Sequence, residues 1–235
     1  MHYNFKEAQS RLALDERDEN GLTPLGLHAN QTWNADPKRL AFVLARYKFV
    51  AKMLSGRKNV LEVGCGDAFA TRIVLSEVEK LTALDFEPEF VKDVNARMDE
   101  RWQFECLEHD MTRGPLSRDF DAAYSLDVIE HIPKTQELNF VANIYHSIID
   151  DGVVLIGTPS IQSQKYASEG SKLGHVNCKE HSDFRHLMEL FFRQVFIFSM
   201  NDEVVHTGFY PMAHYLFALC CSRKPKNAIP DIVNK

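Results

Sequence analysis

The segment "VLEVGCGDAFATRIV", residues 60–74, constrains the chain more than any other: a short β-branched apolar run, a two-glycine turn, then apolar residues at helical spacing. Such a run suits a parallel strand buried on both faces, and a glycine turn feeding a helix is the opening unit of a strand–helix–strand crossover. The alternation continues. "LTALDF" reads as a second strand, "PEFVKDVNARM" as a helix, "WQFECLEHDM" as a third strand and "FDAAYSLDVIE" as a fourth running into a loop. "TQELNFVANIYHSII" places Leu138, Val141, Ile144, Tyr145 and Ile148 on one helical face, and "GVVLIGTP" is a fifth strand. Upstream, "DPKRLAFVLARYKFVAKML" predicts a helix capped by Asp36 with proline at its first position.

Strands alternating with helices at this spacing predict an α/β fold, a three-layer Rossmann-like sandwich with helices on both faces of the sheet. After Pro159, "SIQSQKYASEGSKLGHVNCKEH" has no clear period and reads as a long functional loop. "SDFRHLMELFF" restores a helix, and "QVFIFSMNDEVV" and "HYLFALCC" read as closing strands. The expectation is a mostly parallel, seven-stranded sheet with an antiparallel last strand. Residues 1–35 read as an N-terminal arm or short helix, 36–223 as one domain, and 224–235 as a flexible tail.

The balance of the chain narrows its partners. Its formal net charge is -6 over 235 residues, which disfavours nucleic acid and anionic membranes as partners. The five cysteines are odd in number and contain no C-x-x-C pair, which argues against a disulfide framework and a thiolate zinc site. No apolar run approaches the roughly 18 residues that a membrane span needs. The expectation is a cytoplasmic protein acting on a small molecule, with a homodimer left open.

In a doubly wound sheet, ligands bind beyond the carboxyl ends of the strands where the strand order reverses. Gly64 and Gly66 allow a tight turn there, and Asp85 at the end of the second strand can accept hydrogen bonds from ribose hydroxyls. A dinucleotide fingerprint would need glycine at position 69, where Phe69 stands. NAD is therefore disfavoured. Glu62, Gly64 and Gly66 give an acid-x-Gly-x-Gly order instead, which resembles the first motif of class I S-adenosylmethionine (SAM)-dependent methyltransferases.

The resemblance covers roughly residues 37–220 and implies SAM as cofactor. It implies that Glu62 and the turn of Gly64, Cys65, Gly66 and Asp67 surround the methionine part. It assigns the ribose to Asp85 and the adenine amine to Asp110, with Phe86, Met111 and Leu126 lining the ring. "LARYKFVAK" resembles a helix of glycan and small-molecule members whose arginine meets the cofactor carboxylate; Arg46 is the match and Arg39 its substitute. Ala68 departs from the family, which often has a third glycine there.

A second constellation follows the fourth strand. In "SLDVIEHIP", Asp127, Glu130 and His131 stand at i, i+3 and i+4, so one helical turn would put all three on one face. The segment resembles the acid-x-x-Glu-His motif of ubiquinone-pathway O-methyltransferases and of small-RNA 2′-O-methyltransferases, where these side chains hold a divalent metal. The resemblance makes His175 a fourth ligand. A hard divalent ion such as Mg2+ or Mn2+ could bind the acceptor hydroxyl and lower its pKa. The alternatives are His131 as a bare general base, since its pKa of about 6.5 suits that task, or Glu130 and His131 as a helix cap. The implied reaction is O-methylation of a small hydroxylated molecule, a sugar or glycan precursor. RNA 2′-O-methylation, quinone-pathway O-methylation and a non-catalytic binding module are the other readings. Lys165, Tyr166, Lys172, His175 and Asn177 on the long loop are candidate acceptor contacts.

Overall fold

The protein is described by a computed structural model over residues 5–230. Its one sheet has the order β3-β2-β1-β4-β5-β8-β6-β7. The strands are β1 (Val60–Val63), β2 (Leu81–Asp85), β3 (Glu105–Glu108), β4 (Phe120–Leu126), β5 (Ile148–Pro159), β6 (Phe192–Asn201), β7 (Val204–His206) and β8 (Tyr215–Arg223). The first five pair in parallel, and β8 runs antiparallel between β5 and β6. The antiparallel last strand is as the sequence predicts.

The eighth strand is an addition. "QVFIFSMNDEVV" reads as one strand, but it folds back at Asp202 (φ 50°), and Val204–His206 pair with Ser199–Asn201 as a short antiparallel edge. Aspartate is among the few residues that tolerate the left-handed region, so the reversal hides inside an apolar run.

Period-two alternation splits the core between the two faces of the sheet. In β4, Ala123 packs beneath α6 (Glu137–Ser147) and α8 (His181–Glu189), while Ala122 and Tyr124 pack beneath α3 (Lys38–Met53); a register shift between Phe120 and Ala122 puts Phe120 on the face of Ala123. The helix α5 (Pro88–Ala96) and the short α4 (Thr71–Leu75) complete the second face through Val94 and Val74. This is the predicted three-layer arrangement. The predicted Asp36 cap does not form: α3 opens at Lys38, and Asp36 ends the preceding helix.

The N-terminal region carries two helices, α1 (Ser10–Asn20) and α2 (Leu27–Ala35), and only Ala29 is buried on either. With so little apolar contact, neither has the stripe that makes a helix legible. The aperiodic segment after β5 folds as a 3-10 helix at Ile161–Tyr166 and α7 (Glu169–Gly174), each capped by a serine, Ser160 and Ser168. Of the predicted tail, Lys226–Ala228 form a 3-10 turn and Ile229 packs against the core; residues 231–235 lie outside the described residues. Among the described residues, no helix is long and apolar enough to cross a membrane.

Candidate active site

Strand order reverses between β1 and β4. At their carboxyl ends opens a cleft of about 810 Å³, walled by the β1 turn, the end of β2, α2 and α3, and the loop after β4. The turn is built from left-handed backbone: Gly64 (φ 77°), Gly66 (φ 54°) and Ala68 (φ 51°). A Cβ on Gly64 would lie 2.3 Å from Cγ2 of Val128, so glycine there is required by both conformation and space.

Ala68 holds the third left-handed position at a cost of about 1–2 kcal/mol. Its methyl is buried and contributes about 0.8 kcal/mol in return. The two nearly cancel, so Ala68→Gly should move the melting temperature by only about 2–4 °C in either direction. Ala68→Val adds β-branching and volume to the same backbone and should destabilise by roughly 2 kcal/mol or more. Thermal melting of the pair checks this; a valine variant as stable as the parent would contradict it.

Asp85 ends β2 with both oxygens engaged by backbone: Oδ2 accepts from the Gly66 N–H at 2.8 Å and Oδ1 from the Glu87 N–H at 2.9 Å. Each oxygen keeps a further lone pair. Phe86 and Asp110 also line the cleft, with Met111 and Leu126 below them. Asp110 accepts from Thr112 N–H and meets Arg113 at 3.1 Å. Cys65 lines the cleft as well; its thiol pKa is raised, first by its hydrogen bond with Cys106 and then by burial, so it is no nucleophile.

Three sequence candidates stand differently from expectation. Glu62 does not line the cleft. It is 1% exposed and accepts from Tyr47 Oη and Thr71 Oγ1, each at 2.7 Å, so it ties α3 and α4 to β1. Burial raises its pKa, and those two donors oppose the rise. Asp67 lines the cleft but spends Oδ2 on the Ala29 N–H at 2.7 Å, where it neutralises the α2 N-terminus. Gly26 permits that approach, since a Cβ on it would sit 2.4 Å from the carboxylate.

The third is Asp127. It does not share a helical face with Glu130 and His131, because its own backbone is left-handed (φ 57°) and the 3-10 turn covers only Ile129–His131. Its carboxylate turns to Arg46 instead, at 2.8 and 2.7 Å. The guanidinium lies 3.9 Å above the Tyr215 ring. Arg46 lines the cleft with an acidic partner already beside it.

Glu130, His131 and His175 do converge, with one ligand atom from each within 4.8 Å of the others. His131 Nδ1 contacts the Gly174 carbonyl at 2.9 Å, and His175 Nδ1 contacts the Gln164 side-chain carbonyl at 2.8 Å. Both Nδ1 atoms must donate there, which leaves both Nε2 atoms as lone-pair acceptors. Glu130 is fully buried; Oε2 accepts from Thr158 at 3.2 Å, and Oε1 has no partner and lies 4.0 Å from His131 Nε2. An orphaned carboxylate oxygen beside two imidazole acceptors is a donor set that fits a divalent ion. His131 lines the cleft, and Glu130 and His175 stand behind it.

Burial first, and the Asp127 charge second, push the Glu130 pKa up to about 8. The folded protein therefore keeps a proton that the unfolded chain releases near a pKa of about 4.3. Between those values the unfolded state binds fewer protons, so stability in chelator should fall as pH rises through that window. Glu130→Gln should flatten the slope; parallel melting-versus-pH curves for the two proteins would count against it.

Sequence reasoning placed no cleft residue in the N-terminal region, where α2 brings His28 and Gln31 into the wall, and assigned no role to His109, which also lines it with Nε2 against the Gly114 carbonyl at 2.9 Å. A helix with one buried residue leaves little signal. Asn177, a candidate acceptor contact, is instead buried and bonded to Ile132 and Glu137. Lys172 is paired with Glu169, and Tyr166 is exposed.

The chain is similar to known proteins in sequence and in fold. Residues 60–152 match the family model described as a methyltransferase domain. A probable S-adenosylmethionine-dependent methyltransferase of Mycolicibacterium smegmatis is 26% identical over 115 residues, 48% of this chain and 42% of that protein. The match thus spans less than half of that curated relative. Among solved structures, N-methyltransferase NodS from Bradyrhizobium japonicum, bound to S-adenosyl-L-homocysteine, has a TM-score of 0.57 at 17% identity, over 83% of this chain and 92% of that one. The methyltransferase domain of bacterial CtHen1-C gives 0.62 at 15% identity, over 78% and 98%. DhpI in its SAM-HEP complex gives 0.60 at 15% identity, over 95% and 100%. These likenesses are of fold. Residues 60–152, seated on the doubly wound sheet with a glycine turn opening the cleft, are thus similar in sequence to a methyltransferase domain, and the chain shares its fold with solved methyltransferases.

Proposed function

We propose that the protein transfers the SAM methyl group to a hydroxyl of a small acceptor, a sugar or glycan precursor, with Glu130, His131 and His175 holding a divalent ion, Mg2+ or Mn2+. The observation that carries this reading is the buried Glu130 carboxylate, its Oε1 unpartnered and 4.0 Å from His131 Nε2, converging with His131 and His175 so that one ligand atom from each lies within 4.8 Å of the others. When bound, SAM supplies an electrophilic methyl on sulfur, and the ion supplies a Lewis acid that lowers the acceptor's pKa.

The chain's own residues orient the partners. Asp85 offers lone pairs to the ribose, Asp110 to the adenine amine, and Phe86, Met111 and Leu126 give the ring an apolar seat. Arg46 is the cation for the cofactor carboxylate. Val128 and Ile132 line the cleft beside His131 and keep water from its base. The net charge of -6 favours a small acceptor over a nucleic acid.

Calorimetric titration with S-adenosylhomocysteine, then an acceptor screen with and without chelator, tests the proposal. Binding of the nucleoside and turnover that is lost in chelator and restored by Mn2+ are expected. Turnover indifferent to chelator would remove the ion and leave His131 Nε2 as the base; affinity for a nicotinamide dinucleotide instead would remove the whole reading. Strong activity on RNA that falls steeply with salt would replace the small acceptor.

A further inference from the structure

Lys179 is 2% exposed, inside the segment between β5 and α8. A buried ammonium is costly unless it is paired and hydrogen-bonded. Here Nζ donates to the Glu137 carboxylate and, at 2.7 Å, to Asn177 Oδ1. Asn177 Nδ2 in turn donates to Glu137 Oε2 at 2.9 Å and to the Ile132 carbonyl at 3.0 Å. The other Glu137 oxygen meets Lys134 at 2.7 Å. Glu137 opens α6, whereas Asn177 and Lys179 lie two and four residues beyond His175.

Backbone bonds run through the same knot. The Asn177 N–H donates to the Glu130 carbonyl at 2.9 Å, and the Lys179 carbonyl accepts from the Ile161 N–H at 2.9 Å. The arm bearing His175 is therefore fastened at one end to the turn bearing Glu130 and His131. Stability alone is a weak reason for the knot, because an apolar pair of similar volume would serve as well.

We infer that Lys179, through Glu137 and Asn177, is a positioning residue that fixes the His175 arm against the Glu130–His131 turn and so sets the affinity of that cluster for a divalent ion. The inference rests on the metal reading proposed above. The Lys179→Met variant tests it, since Glu137 keeps Lys134 and Asn177 as partners. In chelator, amide hydrogen exchange across residues 161–178 should rise. Mn2+ affinity of the free protein, read by calorimetry, should fall about 10–100-fold. Affinity for S-adenosylhomocysteine should stay within about twofold, because the knot touches no cofactor-side residue, and saturating Mn2+ should restore kcat.

A second variant, Lys179→Met with Glu137→Leu and Asn177→Leu, removes the whole polar knot, leaves no buried side chain of it unpaired, and should fold while binding Mn2+ as weakly. Wild-type Mn2+ binding that the single variant leaves unchanged, or unchanged exchange across the arm, overturns this inference alone. A wild-type protein that takes up no Mn2+ overturns the metal reading, and this inference with it.

Discussion

Replacing His131 by alanine should lower turnover roughly 10²–10⁴-fold while S-adenosylhomocysteine affinity stays within about twofold. The ring lines the cleft, with Nδ1 committed to the Gly174 carbonyl and Nε2 turned towards Glu130 Oε1. Losing it removes a ligand in the metal reading and the base in the metal-free one. His175→Ala separates them, because His175 is 5.2 Å from His131 ring to ring yet does not line the cleft. As a ligand its loss should cost nearly as much, and the Mn2+ concentration needed for half-maximal rate should rise in step. Activity in His175→Ala close to the parent's would leave His131 to act by itself; full activity in both would discard the acceptor site.

Gly64→Ala should be the most damaging single methyl in the chain. It imposes a side chain on backbone at φ 77° and drives Cβ to 2.3 Å from Val128 Cγ2. Left-handed strain of about 1 kcal/mol and overpacking of about 1–3 kcal/mol both apply. A drop in melting temperature of roughly 5–15 °C is expected. Val128 links this turn to Asp127 and Glu130, so the displaced backbone disturbs the glycine turn and the loop after β4 together. Loss of S-adenosylhomocysteine binding by about 100-fold or more should accompany the melting change. Gly64→Ala with Val128→Ala relieves the contact and not the dihedral, and should recover part of the stability. A single variant that melts and binds like the parent would show that the turn moves freely, contrary to its three left-handed residues.

Much of the fold was legible because its signals are local. Runs such as "NVLEVG" and "GVVLIGTP" must be strands buried on both faces, since no other element of that length hides so many β-branched residues. α2 was not legible, since it docks through the Asp67–Ala29 bond and one buried alanine rather than an apolar stripe. Asp127, Glu130 and His131 illustrate a different limit. Their spacing suggests a shared helical face, but one left-handed dihedral at Asp127 turns that carboxylate to Arg46, which is 81 residues away in sequence.

By itself the sequence determined the layer order, the cleft at the β1–β4 switch point and the glycine turn that opens it, because period, turn chemistry and strand order act over a few residues each. Tertiary structure alone decided which acids face the cleft, which imidazole nitrogens keep their lone pairs, and that a buried lysine fastens the His175 arm. Those outcomes depend on partners far apart in sequence, whose hydrogen bonds and burial exist only once the chain has packed.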